Sequence, residues 1–271
     1  THLGHSFPTR RSSDLRLGGQ WRPVLMGLLM SAACVTPVYA DEGVPLTTLA
    51  QVPEGVEVQG KQVAAYTWDD RQGKNLLVLA EQISQREDDG TQSALVYAAQ
   101  YLIDGDRPKR LWMLYDDVQR CEFDAAMRFD MAATKVTDLA GDGTTQATVG
   151  YTRTCTSDVS PNEFKLIMHV GKSQKYRLRG VDRVGAAWWD EEAGALRGMP
   201  LPKDCSIAGQ QALVSQYKEQ GTELPLPGCY SDEKDFAKAP QAYLIFMRQH
   251  WFALMQKQDA EWSQAQTPPQ E

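Results

Sequence analysis

The amino-acid sequence predicts an α+β protein, in which an antiparallel β-meander at about residues 56–180 is followed by a mainly helical C-terminal part. Apolar runs in the first part alternate with short polar turn segments at regular intervals, as in antiparallel strands. Near the C-terminus, apolar residues recur at helical spacing instead. Because the strands precede the helices rather than alternating with them, the order is that of an α+β fold.

The strand pattern is clearest after Cys121, where apolar and charged side chains alternate. Successive strand residues point to opposite faces, so one parity is expected in the core. The residues expected to face the core are Cys121, Phe123, Met127, Phe129 and Met131, and in the next strand Ala147, Val149, Tyr151 and Cys155. Thr148, Thr152 and Thr154 are expected to face away from it. A tight turn at residues 140–144 would not place Cys121 opposite Cys155, so we expect a bulge or a longer connection. Residues 164–178 predict one more hairpin.

Two helices are predicted in the C-terminal region, residues 183–262, which we expect to pack on a β-rich domain at residues 41–182. The first is Ala208–Glu219, ended by Gly221. The second starts at Pro240, a residue favoured at the first helical position. Its apolar residues at helical spacing are Leu244, Met247, Trp251, Leu254 and Met255. Residues 263–271 are rich in Gln and Pro and are predicted to form a flexible tail.

The N-terminal part has the anatomy of an export signal. Residues 5–15 resemble a translated sequencing adapter, so residues 1–15 are set aside as an artefact. Residues 16–40 then combine basic residues, an apolar stretch of twelve at 24–35 and small residues before a cleavage site after Ala40. A stretch of twelve is shorter than the about 20 residues of a membrane-spanning helix. We therefore predict a periplasmic or secreted protein, with lipidation at Cys34 as the alternative.

Charge and composition narrow the classes of partner. Residues 1–40 hold four Arg and one Asp, so the remaining chain has a net charge of −10, against −7 for the whole. An acidic chain of this kind is not expected to bind nucleic acid or anionic lipid. No segment after residue 40 is long and apolar enough to span a membrane.

Four cysteines remain beyond the export signal, and an even number in an oxidising compartment predicts two disulfides. Spacing favours Cys121–Cys155 across a β-hairpin region and Cys205–Cys229 around a short helical excursion, although three pairings are formally allowed. The alternative is a zinc site. It is disfavoured because the chain has no C-x-x-C spacing and only two histidines after residue 40.

The segment VTDLAGDGTTQATVGY resembles the D-x-D-x-D-G calcium loops of integrin-like FG-GAP repeats and EF-hands. Asp138 and Asp142 occupy two ligand positions, and Gly143 supplies the turn. Ca²⁺ prefers six to eight oxygen ligands. Ala140 and Gln146 stand where further acids are expected, so the alternative is a plain turn closing a hairpin, with no cofactor.

Aromatic and acidic residues provide the remaining candidate sites. Trp112, Trp188 and Trp189 form a candidate stacking platform for a sugar ring, or else pack in the core. Asp116 or Asp117 together with Glu122 or Asp124 could supply the two carboxylates of a glycosidase, or else be solvated turn residues. No nucleophile signature accompanies His169 or His250.

One block of the chain resembles a known family. It runs from YLIDGDRPKRLWMLYDDVQRCEFD through VTDLAGDG to HVGKSQKYRLRG, within residues 97–180. It is similar to exported bacterial proteins that are sometimes labelled as involved in surface-polysaccharide biosynthesis. The resemblance implies a place in the cell envelope and carries no catalytic residue. It also implies an acid at the position of Ala140.

These observations favour a non-catalytic periplasmic protein that binds an envelope protein or glycan. Two other hypotheses stay open. One is an envelope glycan hydrolase using the carboxylates between Asp116 and Asp130. The other is a periplasmic inhibitor of a basic enzyme such as a lysozyme, for which an acidic β-rich surface would be suited.

Overall fold

Two antiparallel sheets form the centre of the protein in the computed structural model, which describes residues 43–105, 107–157, 160–190, 192–215 and 224–266. The first sheet contains β1 (Thr47–Thr48), β2 (Lys61–Asp70), β3 (Gly73–Ile83), β4 (Gln92–Asp104) and β5 (Arg107–Cys121), in that order. The second contains β6 (Asp124–Thr137), β7 (Gln146–Thr156), β8 (Glu163–Val170) and β9 (Gln174–Val181). Within each sheet, every strand pairs with its sequence neighbours, and the chain passes to the second sheet between β5 and β6, so the antiparallel β-rich architecture is confirmed.

The C-terminal region is mixed rather than mainly helical. It begins with a separate hairpin, β10 (Ala187–Asp190) and β11 (Ala195–Gly198), followed by α1 (Ile207–Val214), a 3₁₀ turn at Lys234–Phe236 and α2 (Gln241–Gln266). The mainly helical C-terminal part is therefore only partly observed. The predicted end of the first helix at Gly221 lies outside the described residues. The second helix continues to Gln266, into the segment predicted to be a flexible tail.

The main core lies between the two sheets, and it confirms part of the predicted alternation. Met127 and Phe129 of β6 are buried there with Val149 and Tyr151 of β7. They pack against inward residues of the first sheet, among them Leu77, Leu79, Val96 and Ala98.

Phe123 and Met131 were predicted to face this core, and both predictions are wrong. Phe123 is 53% exposed and Met131 is 39% exposed. Cys121 is the last residue of β5, so Phe123 lies in the turn between the two sheets. Met131 lies where the pairing of β6 with β7 shifts register, between Asp130 and Lys135. This irregularity is a bulge, one of the two alternatives that we expected, but Cys121 itself ends β5, and Cys155 pairs with Ala125 of β6.

The central strands of the second sheet, β7 and β8, are buried on both faces over much of their length, which the alternation did not predict. Thr148 was expected to face solvent, but it is fully buried. The outer face of the sheet packs against α2, where Met247, Trp251 and Met255 belong to one cluster with Phe164 of β8, and the Trp251 ring lies edge-on to Phe164 at 5.1 Å. The predicted apolar face of the terminal helix is thereby confirmed. A strand pattern records which residues share a face, but it does not record whether a helix covers that face.

Segment 49–58 covers the outer face of the first sheet. Its apolar residues pack on a cluster that includes Tyr97 and Tyr101, and both tyrosine hydroxyls donate to the carbonyl oxygen of Glu57. The described residues belong to a single compact unit, Asp41–Glu271. The predicted export signal and Cys34 lie outside the described residues. Within the described ranges, no helix is long and apolar enough to cross a membrane.

Two disulfides join the cysteines in the pairing that their spacing favoured. Cys121–Cys155 has a Cα–Cα distance of 5.7 Å, and Cys205–Cys229 has one of 5.2 Å. The first bond connects the end of β5 to β7 and so links the two sheets beside the turn at which the chain passes from one sheet to the other. The second lies in the C-terminal region, where Cys229 is fully buried.

Candidate functional site

A cleft opens where the two sheets differ in extent. β5, the last strand of the first sheet, lies over β7 and β8: Trp112 stacks on His169 with ring centroids 3.7 Å apart, and Asp116 contacts Tyr151 and Lys165. Among the described residues, no strand of the first sheet lies beyond β5. The inner face of β9 is therefore left open beside the edge of β5, in a cleft of about 380 Å³.

The floor of this cleft is basic because the strand register puts cations on one face. Lys165, Ile167 and His169 of β8 pair with Arg179, Arg177 and Lys175 of β9, so all six share the inner face of the second sheet. Arg177 forms an ion pair with Asp235 at 2.7 Å. Lys175 and Arg179 are exposed, and neither forms an ion pair within the described part of the chain. A chain of net charge −7 thus presents a positive cleft.

A polar network joins β5, which forms the wall of the cleft, to the strands of the second sheet that form its floor. The Asp116 carboxylate accepts hydrogen bonds from Lys165 Nζ at 2.5 Å and from the Tyr151 hydroxyl at 2.7 Å. The Lys165 side chain is only 10% exposed, and its ammonium also lies 3.6 Å from Glu163. A buried ammonium group needs such partners because its desolvation is costly.

The same network determines the charge states of its members. Partial burial works to raise the pKa of Asp116, but the hydrogen bonds from Lys165 and Tyr151 outweigh it and hold that pKa below its usual value. Burial, together with the neighbouring Asp116 carboxylate, raises the pKa of Tyr151. Asp116 is therefore a carboxylate and Tyr151 a phenol at neutral pH.

His169 lies at the inner end of the cleft and is uncharged at neutral pH. Burial, with a smaller contribution from Lys175, lowers its pKa to about 4. Its Nε2 atom is buried and has no hydrogen-bond partner among the described residues. The ring therefore contributes a stacking surface for Trp112, not a positive charge.

Asp138 and Asp142, the predicted calcium ligands, are engaged by the backbone of their own turn. The Asp138 carboxylate accepts from the amides of Asp142 and Gly143 at 3.1 and 2.8 Å. Asp142 accepts from the Thr144 amide at 2.7 Å. In the described ranges, no group of three or more His, Cys, Asp or Glu side chains is placed to hold a metal ion. This is the geometry of a hydrogen-bonded turn.

Of the three tryptophans predicted as a stacking platform, only the side chain of Trp112 is described by the structure. Trp112 is buried, and its Nε1 donates to Gln100 at 2.6 Å, so its ring is not offered to a ligand. Trp188 and Trp189 lie on β10, and their side chains lie outside what the structure describes. The exposed large side chains beside the cleft are Met113 and Tyr115, each 46% exposed.

Three of the four carboxylates predicted as a glycosidase pair have different partners. Asp116 belongs to the network with Lys165, whereas the next residue, Asp117, accepts from the side chain of Gln119. Asp124 pairs with Arg86 at 3.3 Å. These contacts engage each carboxylate with a different partner.

The three cations of β9 were missed at the level of sequence. The signal was available in KYRLRG, where Lys175, Arg177 and Arg179 alternate with Tyr176 and Leu178. In a strand, this alternation places the cations on one face. The pattern does not indicate, however, that among the described residues no strand of the first sheet lies opposite these cations.

Comparisons of the chain with protein-family models, with curated proteins and with solved structures found no match.

Proposed function

We propose that this protein is a non-catalytic, exported protein of the cell envelope that binds a polyanionic ligand in the cleft between β5 and β9. The observation that carries the proposal is the row formed by Lys175, Arg177 and Arg179 on the open face of β9. A cleft lined mainly by one sign of charge attracts ligands of the opposite sign.

Burial and pairing divide the cations by role. Lys165 is neutralised by Asp116, and Arg177 by Asp235. Lys175 and Arg179 are the two whose charge is available to a ligand. Both are exposed, so they can reach an incoming anion at little cost in desolvation.

The charge state of Asp116 favours binding over hydrolysis. A glycosidase needs one carboxylic acid that stays protonated until it donates its proton. Asp116 is the carboxylate that faces the cleft, and its hydrogen bonds favour the ionised form. The positive cleft also does not favour a basic enzyme such as a lysozyme as the partner at this surface.

Two features support an exported protein of the envelope. The two disulfides are of the kind that form and persist in oxidising compartments. The predicted export signal at residues 16–40 points to the same compartment.

The test is calorimetric titration with three polyanions, namely oligogalacturonate, polyphosphate and oligoglutamate, and with a neutral malto-oligosaccharide as reference. We expect binding of at least one polyanion, weakening as salt is added, and no binding of the neutral chain. The double variant Lys175→Gln/Arg179→Gln should weaken it by at least about tenfold.

The matched control is Lys61→Gln/Lys74→Gln, which removes the same charge from exposed positions on β2 and β3. Its affinity should stay close to that of the unmodified protein. Equal weakening in both double variants, or no binding of any polyanion, would overturn the proposal.

A further inference from the structure

β5 is an edge strand that faces the cleft. It pairs with β4 on one side and, within the described residues, with no strand on the other. An unpaired strand edge presents a row of N–H and C=O groups that can pair with another chain. The cleft therefore offers hydrogen-bonding groups along its wall and cations along its floor.

The contacts of Asp117 identify which backbone groups face the cleft. Its amide donates to the Asp116 carboxylate at 3.0 Å, and its carbonyl accepts from Arg153 at 3.3 Å, so both point away from β4. The N–H and C=O of a strand residue point to the same side, and that side alternates along the strand. Met113 and Tyr115 share the orientation of Asp117, because the register with β4 is unbroken from Trp112 to Val118.

The backbone groups of Met113 and Tyr115 remain available. Among the described residues, no backbone hydrogen bond outside the regular ladders reaches either of them. Arg153 already covers the carbonyl of Asp117, so the open part of the edge ends there.

The cations on the floor have the spacing of a strand. Lys175, Arg177 and Arg179 are successive residues on one face, so they repeat at about 6.6–6.8 Å. A strand added beside β5 would lie opposite β9, as β5 lies opposite β8. The inward side chains of the added strand would repeat at the same spacing as the cations of β9. The two strands would be about 10 Å apart, the usual separation of stacked sheets.

We propose that the ligand of this cleft is an extended acidic polypeptide segment that pairs with the free edge of β5 as a further strand of the first sheet, with its inward carboxylates over Lys175 and Arg179. This inference rests on the proposed function and names the ligand class. The outward side chains of the added strand would neighbour Met113 and Tyr115, which are exposed. The segment is therefore one in which acidic residues alternate with apolar or β-branched residues.

An acidic glycan would match the positive charge of the floor of the cleft but not the backbone hydrogen-bonding groups along the edge of β5. A sugar chain has no backbone that repeats the hydrogen-bonding pattern of a strand, so it would leave the amides of Met113 and Tyr115 unpaired. An acidic peptide can pair its backbone with the edge of β5 and its carboxylates with the cations of β9. Strand addition to a sheet edge is a common mode of peptide recognition.

The experiment compares three blocked peptides of equal length by calorimetric titration of the whole protein. The first alternates Glu and Thr, the second replaces every Glu by Gln, and the third keeps Glu but carries N-methyl groups on alternate backbone nitrogens. We expect the first peptide to bind and the other two to bind at least about tenfold more weakly. Amide hydrogen exchange at Met113 and Tyr115 should slow when the first peptide binds.

The outcomes separate this inference from the proposed function. If the N-methylated peptide binds as well as its parent, or the two amides exchange at an unchanged rate, strand pairing is wrong. If oligogalacturonate binds more tightly than the alternating peptide, with the same loss in Lys175→Gln/Arg179→Gln, the ligand is a glycan and only the proposed function stands. If no polyanion responds to that double variant, both are overturned.

Discussion

The buried histidine beside the cleft should make the folded protein sensitive to acid. Burial lowers the pKa of His169 to about 4, from 6.5 in an unfolded chain. Between these values the unfolded chain binds a proton that the folded protein does not. The stabilising contribution is therefore fully present above pH 6.5 and is lost as the pH falls towards 4. A difference of this size corresponds to about 3 kcal/mol of the free energy of unfolding.

His169→Phe removes this proton while retaining an aromatic ring against Trp112. The stack has an interplanar angle of 8°, which a phenyl ring can keep. The variant also removes a buried Nε2 that has no hydrogen-bond partner in the described structure. We expect the variant to lose about 3 kcal/mol less than the unmodified protein when both are taken from neutral pH to pH 4.

Urea unfolding at a series of pH values measures this difference directly. The carboxylates titrate in both proteins, so their contribution cancels when the two curves are subtracted. A titration of His169 by nuclear magnetic resonance is the independent check. Parallel stability curves, or a measured His169 pKa near 6.5, would show that the ring is not buried as the structure places it.

Two further predictions concern stability away from the cleft. Replacing Cys121 and Cys155 by Ser removes a cross-link with a sequence separation of 34, which should lower the free energy of unfolding by about 3–4 kcal/mol in the chain-entropy account; an unchanged urea midpoint would contradict it. Arg183 is only 1% exposed and binds Asp259 and two backbone carbonyls, so Asp259→Asn, which leaves this buried guanidinium without its carboxylate, should cost about 3–5 kcal/mol. Asp124→Asn, which makes the same change opposite the exposed Arg86, is the control and should cost about 0–1 kcal/mol in the same assay.

Much of the local structure could be predicted from the residues alone. The alternation through Met127 and Phe129 identified a half-buried strand, and the positions of Cys121 and Cys155 indicated that a tight hairpin alone would not bring them together; β6 contains a bulge, and Cys121 lies at the end of β5. The helical spacing around Trp251 identified the buried face of α2. These features depend on neighbours along the chain, so the sequence carries them directly.

The errors came from places where one element meets another. Phe123 follows the inward parity but lies in the turn between the sheets, where alternation no longer applies. Thr148 follows the outward parity but is fully buried, on the face of the second sheet against which α2 packs. Trp112 packs in the core, which was the alternative to a stacking platform, and nothing near it in the sequence indicates that His169 stacks on it.

The sequence by itself determined the strands, their turns, the apolar face of α2 and a pattern that favours the two disulfide pairings. It also contained the alternating cations Lys175, Arg177 and Arg179. Only the tertiary structure decided that these cations face an open cleft, because that depends on which strands of the two sheets lie opposite each other. Alternation states which side a residue takes, whereas the stacking of the sheets decides what lies on that side.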